Sequence, residues 1–252
     1  ITVLPGENPA IPFMESVWEN LKKNDKRSLP SYDYESYVKI EVGVDNISEK
    51  FRNKKLMKPF AYLFDSLQIA AGEDGQPVLP IFVSETLSDI YKTHSPDRDK
   101  EVIKANKITG VGLDDGSFVS QFVGSSFQEY NFYKGWLNIL DKNFVSPLNN
   151  SGFTFYRYYI MDSAIIEGDY CYKLQFIPKR DEDLAFNGEM WITTESYALK
   201  RISAEIGKSA NLNFVERLKI QQDLSPTEAG PWLPSKTRVL IDVAEFTDES
   251  FG

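Results

Sequence analysis

His94 is the only histidine in the sequence, and it stands in the string Thr93-His94-Ser95-Pro96, which forms a turn. One imidazole cannot furnish a histidine-rich zinc site. A hydrolytic triad could in principle use it, but no Gly-x-Ser-x-Gly elbow is present, so an exposed turn histidine is expected. Cys171 is the only cysteine. It can form neither an internal disulfide nor a thiolate cluster, and its place in mid-strand predicts a small packing residue. Gly207-Lys208-Ser209 ends like a phosphate loop, but Ile202 stands where that loop requires its first glycine, and the context is a strand-to-strand turn. Asp114-Asp115-Gly116 and Glu73-Asp74-Gly75 resemble fragments of calcium loops. Neither has the full ligand register, which leaves ordinary turns. No cofactor and no metal are predicted.

Carboxylates are the one reactive class in supply. Glu85, Asp89, Glu129, Asp162 and Glu189 are candidates for paired acids in glycoside hydrolysis, a reaction that needs roughly 5 to 9.5 Å between the two groups. Ser84-Glu85, after an apolar run, is the most suggestive of them, with a strand end or a helix cap as its alternative. No catalytic constellation emerges. The chain is therefore read as non-catalytic, with a carboxylate-dependent hydrolase as the competing class.

The chain that positions them is organised around the strands that dominate its last third. Period-two alternation puts successive side chains on opposite faces of a strand. Tyr170, Tyr172, Leu174 and Phe176 alternate with Cys171, Lys173 and Gln175. Phe186, Met190 and Ile192 follow a charged turn, with Gly188 in the same phase. Ile202, Ala204 and Ile206 come next, then Leu212, Phe214, Leu218 and Ile220, and after a breaker at Pro226 to Pro234 come Val239, Ile241 and Val243. One face is apolar and the other largely polar, the pattern of an antiparallel sheet with one face buried.

Upstream, Ile1 to Pro9 reads as a linker. Phe13, Val17 and Leu21, flanked by Met14 and Trp18, predict an amphipathic helix from Ala10 to Asn24. Tyr34, Val38, Ile40, Val42 and Val44 alternate in a long strand, Tyr32 to Val44, expected to complete the sheet. Asp45 to Phe64 reads as a helical insertion interrupted at Pro59 and able to act as a lid or plug. Leu79 to Tyr91 and Glu101 to Val111 form a predicted hairpin around a polar turn, His94 to Asp99. Phe118 to Phe127 is a short amphipathic stretch, Tyr130 to Phe144 a loop or short helix, and Phe153 to Met161 a strand with aromatics on both faces. In domain terms, 1–30 is linker and helix, and 31–252 is a single curved-sheet domain with insertions at about 45–70 and 112–150.

With 252 residues, the chain can bury roughly 70 to 75% of its unfolded surface. It contains 42% hydrophobic and 26% charged residues, which suits neither disorder nor membrane-spanning helices. A net charge of -9 disfavours nucleic acid as a partner. The cation clusters Lys22, Lys23, Lys26 and Arg27, or Arg52, Lys54 and Lys55, read as solvated helix faces. The chain starts at Ile1 with no signal segment and is expected to be an excised or processed piece.

Several stretches together carry a resemblance. They are Asn8-Pro9-Ala10, SYDYESYVKIEV from Ser31, LPIFVSETLSDIY from Leu79, FVSPLNNSGFTFYRYY from Phe144 and CYKLQFIPKRDEDLAFNGEMWI from Cys171. They resemble outer-membrane proteins of unknown function in Gram-negative bacteria, of the type labelled carboxypeptidase-regulatory-like. That resemblance implies a periplasmic region between an N-terminal β-sandwich and a C-terminal membrane barrel, without peptidase activity. Tyr170 to Leu224, including FNGEMWITTESYALKRI from Phe186, is similar to the sheet of outer-membrane lipoprotein carrier and sorting proteins, whose half-open barrel and helical lid hold acyl chains. The fold expected is α+β and β-dominated, a curved antiparallel sheet (half-open barrel) with helices packed on or capping its concave face. If that face is incompletely filled it can hold a lipid acyl chain or another apolar ligand; the alternative is a core packed solid. The candidate ligand-facing residues are Tyr172, Leu174, Phe176, Met190, Ile192, Ile202, Ile206, Phe214, Leu218 and Ile220. A scaffold that contacts its own barrel or a protein partner is the third reading.

Overall fold

The computed structural model describes residues 8–45, 78–110, 129–212 and 215–243. The insertion read at Asp45 to Phe64, the stretch Phe118 to Phe127 and the candidate Phe214 lie outside them, apart from Asp45 itself.

Helix α1 (Ala10–Asn24) forms where the apolar stripe predicts it, with Ala10, Met14 and Val17 fully buried. Asn8 fixes its start: its side-chain oxygen accepts from the Ala10 N–H at 3.0 Å, and its amide donates to the carbonyl of Tyr158 at 2.8 Å. Burying Met14 and Val17 contributes about 1.5 to 3 kcal/mol each. At the other end Asp25 turns the chain into an extended conformation, and its carboxylate caps a single 3-10 turn, Lys26–Ser28, by accepting from the Arg27 N–H.

Among the described residues, nine strands make one sheet. They are β1 (Ser31–Asp45), β2 (Val78–His94), β3 (Asp97–Gly110), β6 (Tyr156–Ile166), β7 (Asp169–Pro178), β8 (Asn187–Thr193), β9 (Leu199–Ile206), β10 (Val215–Pro226) and β11 (Trp232–Val243). Two more, β4 (Trp136–Ile139) and β5 (Lys142–Val145), form a separate hairpin. The order across the large sheet is β3-β2-β1-β11-β10-β9-β8-β7-β6; it is curved and not closed into a barrel.

Four local expectations are corrected. The sheet is mixed, because β1 runs parallel to β11 while every other pair is antiparallel. The chain enters the sheet beside the place where its last described strand will lie, a relation that local periodicity does not contain. Tyr130 to Phe144 holds the β4–β5 hairpin, whose two-residue turn puts Leu140 and Asp141 at φ of 47° and 62°. That left-handed pair is the hairpin-turn geometry normally signalled by Asn or Gly. Phe153 and Phe155 belong to a one-turn helix, α2 (Gly152–Phe155), and the strand starts at Tyr156. Finally, β11 begins at Trp232, inside the predicted breaker, and Pro234 is accommodated at a register shift opposite Leu224, one of the few places where a strand tolerates proline.

The hydrophobic core lies on one face of β6–β11, under α1 and the segment that carries β4 and β5, and reaches Ile40 and Val42 on β1 and Phe82 on β2. Phe13 meets Tyr172 edge-on at 5.2 Å, and Trp18 meets Phe153 at 4.5 Å. Buried hydroxyls tie the hairpin segment to the sheet. Tyr156 donates to the carbonyl of Val145 at 2.6 Å, Tyr158 to that of Pro147 at 2.8 Å, and the Tyr133 oxygen accepts from the Leu199 N–H at 2.9 Å.

Candidate functional site

Strand pairing lines up side chains into rows that cross the whole sheet. One row on the inner face reads Ile108, Ser84, Ile40, Val239, Ile220, Ala204, Gly188, Phe176 and Tyr158. The next reads Asn106, Thr86, Val38, Thr237, Gln222, Ile202, Met190, Leu174 and Ile160. From Ile202 to Ile160 this second row is wholly apolar. From Asn106 to Gln222 it is polar except at Val38. Along this second row the face thus changes character between β9 and β10.

Seven of the described candidate ligand-facing residues, on β7 to β9, fall on the apolar side of that change, and Leu218 and Ile220 stand beyond it on β10. Leu174, Phe176, Met190, Ile192, Ile202, Ile206, Leu218 and Ile220 are all buried in the core, and Tyr172 packs against it, half-buried. On the other side lies an open trough of about 260 Å³. Its floor is the inner face of β1, β2 and β3, its far wall is Thr237, Pro234 and Gln222, and Glu129 and Tyr130 border it. None of the nine described candidates lines it. Tyr34, Val38 and Ile40, read from the sequence as one face of a strand, do line it.

The trough is graded along the strands. At one end Ile40 and Ile108 flank Ser84. Eight residues back along β1, roughly 26 Å at the usual rise of about 3.3 Å, the row is Tyr32, Lys92 and Asp99. At this end Lys26, expected on a solvated face, is buried with its side chain 4% exposed. Its ammonium pairs with Glu129, lies 3.3 Å from the Tyr34 hydroxyl and stands over the Tyr32 and Tyr34 rings at 5.5 and 5.1 Å. Burial disfavours charge on Glu129, but attraction and hydrogen bonding from Lys26, with help from Lys134 and Lys92, outweigh it and hold the carboxyl below its ordinary range. Burial pushes the Tyr32 hydroxyl up to about 12 against the opposing pull of Lys26, so both tyrosines stay neutral donors. His94 is half-buried instead of exposed, its ring 5.9 Å from that of Tyr32.

The other acids occupy separate settings. Ser84 and Glu85 lie within β2, neither at a strand end nor at a helix cap. Ser84 faces the trough, while Glu85 accepts a hydrogen bond from the Tyr37 hydroxyl at 2.7 Å. Asp89 pairs with Lys104 at 2.8 Å and Glu189 with Lys173 at 2.6 Å. Asp162 is exposed on the edge strand β6, and strands β1, β11, β10 and β9 lie between β2 and β8. Cys171 is buried, as a packing residue would be, and burial raises its thiol pKa. Among the described residues no group of three or more His, Cys, Asp or Glu is placed to hold a metal.

The fold is that of a half-open, curved-sheet domain with one half of its inner face packed and the other left as a trough. Residues 14–249 match the family of unknown function DUF5686, and the chain belongs to that family. No curated protein matches it. Among solved structures it is similar to a domain described as an outer membrane lipoprotein-sorting protein from Vibrio parahaemolyticus, at 12% identity and a TM-score of 0.28 over 64% of this chain and 58% of that one. It is also similar to a DUF1329 family protein from Desulfovibrio piger, at 11% identity and a TM-score of 0.32 over 92% and 86%. The chain thus spans 58% of the length of the first of these relatives. None of its helices is long and apolar enough to cross a membrane, among the described residues.

Proposed function

We propose that this chain is a non-catalytic binding module that holds an apolar or amphipathic ligand, such as a lipid acyl chain, in the trough between β1–β3 and Tyr130. The observation that carries the reading is the open trough itself, on the same face of the sheet whose other half is packed solid. A roomy concavity with mixed walls, next to a rigid core, is the usual form of a small-molecule site. The periplasmic setting, with attachment to an outer-membrane barrel and a preceding sandwich, belongs to the same proposal and rests on the sequence resemblance. The non-catalytic part is supported by the separate engagement of Glu85, Asp89, Glu129 and Glu189 with different partners.

The test is to titrate the purified chain with the neutral apolar dye Nile red, and to analyse its organic extract by mass spectrometry. Thr86→Trp places a large side chain in the middle of the trough floor and should abolish dye enhancement while leaving the fold intact by circular dichroism. Equal dye binding by both proteins, with no alkyl compound in the extract, would falsify the reading.

A further inference from the structure

Resting on that reading, we infer that the ligand carries an uncharged acyl linkage, an ester or an amide, inside its chain, and that the hydroxyls of Ser36, Ser84 and Thr86 hold this carbonyl in the middle of the trough.

The first observation is a set of polar groups with nothing to bind. Ser36 and Ser84 line the trough and are each 9% exposed, and Thr86 stands in the row between them. None of the three hydroxyls has a hydrogen-bond partner among the described residues. Tyr130, at the border and 8% exposed, adds a fourth hydroxyl without a partner among them; burial pushes it up to about 12, so it keeps its proton. Buried polar groups left unpaired cost free energy, and a ligand that pairs them recovers it.

The second is what these groups require. Each hydroxyl brings a proton to place, and the oxygens beside them that only accept are those of the Gln222 and Asn106 amides. The Gln222 amide nitrogen already donates to Tyr130 and Thr237. Protons outnumber acceptors, so the ligand must supply an acceptor. A carbonyl oxygen takes two such bonds.

The third fixes charge and position. The cations that line the trough, Lys92 and Lys100, stand toward the Tyr32 end with Asp99, Glu101 and Glu129 beside them. Lys92 is paired with Asp97 at 2.8 Å, Glu129 is paired with Lys26, and Glu101 accepts from the Ser88 hydroxyl at 2.6 Å. A carboxylate held at Ser36 and Thr86 would be buried without a counter-ion; a neutral carbonyl needs none. Apolar lining flanks the hydroxyls on both sides, Ile40 and Ile108 toward one end and Ile90 with Tyr34 toward the other. The linkage is therefore internal, with carbon on either side of it.

Calorimetric titration of the whole chain with N-butylhexanamide, butyl hexanoate, butylbenzene and decanoate tests this. Ser36→Ala combined with Thr86→Val removes hydroxyls that bond nothing among the described residues, which spares the fold. The double variant should bind the amide and the ester about tenfold more weakly, the size of one to two neutral hydrogen bonds, and butylbenzene unchanged. Decanoate should bind the wild type more weakly than either carbonyl compound. The ranking of the first two tells an amide from an ester, since only the amide has an N–H for the Gln222 oxygen. Equal affinity of wild type and variant for both carbonyl compounds, or decanoate binding best, overturns the assignment. So does binding of none of the four, and Nile red titration then shows whether the trough itself still binds, so that the two readings fail separately.

Discussion

Gln222 and Tyr130 are joined across the boundary between packed core and open trough: the Gln222 amide donates to the carbonyl of Tyr130 at 2.9 Å and to the Thr237 hydroxyl at 3.1 Å. The bond pins the start of the hairpin segment to β10 at the point where the inner face turns from apolar to polar. Gln222→Met keeps the volume but leaves a buried carbonyl without a donor, which costs about 1 to 3 kcal/mol. The urea midpoint should fall with an unchanged slope, and Nile red binding should weaken because Tyr130 is no longer held as a trough wall. A midpoint equal to that of the wild type would show that Tyr130 is held by packing alone.

Tyr156 and Tyr158 make unequal hydrogen bonds, and their phenylalanine variants should rank accordingly. The Tyr156 hydroxyl donates to the Val145 carbonyl and accepts from the Phe186 N–H at 3.0 Å, so Tyr156→Phe strands two buried backbone groups. Tyr158→Phe strands only the carbonyl of Pro147. Costs of about 3 and about 1.5 kcal/mol are expected, read as thermal and urea unfolding of the two variants side by side. The reverse order would mean that the hairpin segment is anchored mainly at Pro147.

What the sequence discloses follows from which residues have a period. Met14 and Val17 on α1, and Ile202, Ala204 and Ile206 on β9, are legible because a packed face must be apolar at every repeat. The trough half of the same sheet is not, since Ser84, Thr86 and Asn106 line an open space and need not be apolar. Lys26 looks like its solvated neighbours Lys22 and Lys23, and only the chain reversal at Asp25 carries it inward onto Tyr32 and Tyr34. The partnership of β1 with β11 joins residues some two hundred positions apart, Ile40 with Val239 among them. The β4–β5 turn escapes because Leu140 and Asp141 adopt a geometry for which their residue types give little warning.

Gly188 stands in phase with Met190 and Ile192, and the structure explains why a glycine occupies an inward position. A Cβ there would lie 2.0 Å from the Ser203 carbonyl oxygen and 3.0 Å from the edge of the Phe176 ring. Gly188→Ala must therefore push β8 away from β9, at a cost of about 3 kcal/mol, the upper end for overpacking. Gly207→Ala is the matched control. Nothing lies within 4 Å of its added methyl, and its φ of -96° suits alanine, so it should stabilise by about 0.5 kcal/mol through the unfolded chain. Thermal unfolding of the two variants should move in opposite directions; a Gly188→Ala protein as stable as the wild type would show that the strand pair can spread without penalty.

The Lys26–Glu129 pair gives stability a sign with pH. Burial opposes ionisation of Glu129, but the Lys26 charge and hydrogen bond prevail and leave its carboxyl below the ordinary value. The native state then binds fewer protons at this group than the unfolded chain does. The contribution is complete above the unfolded carboxyl's value of about 4.3, and it is lost as the pH falls from there through the lower native one. Glu129→Gln removes this dependence. The urea midpoint of the wild type should exceed that of the variant by a constant amount from neutral pH down to about pH 5. Below that the gap should narrow, because a protonated Glu129 and a glutamine present Lys26 with the same neutral acceptor. A gap that stays constant into strong acid would mean that the variant is weakened by lost packing at the trough's edge and that the ion pair contributes nothing.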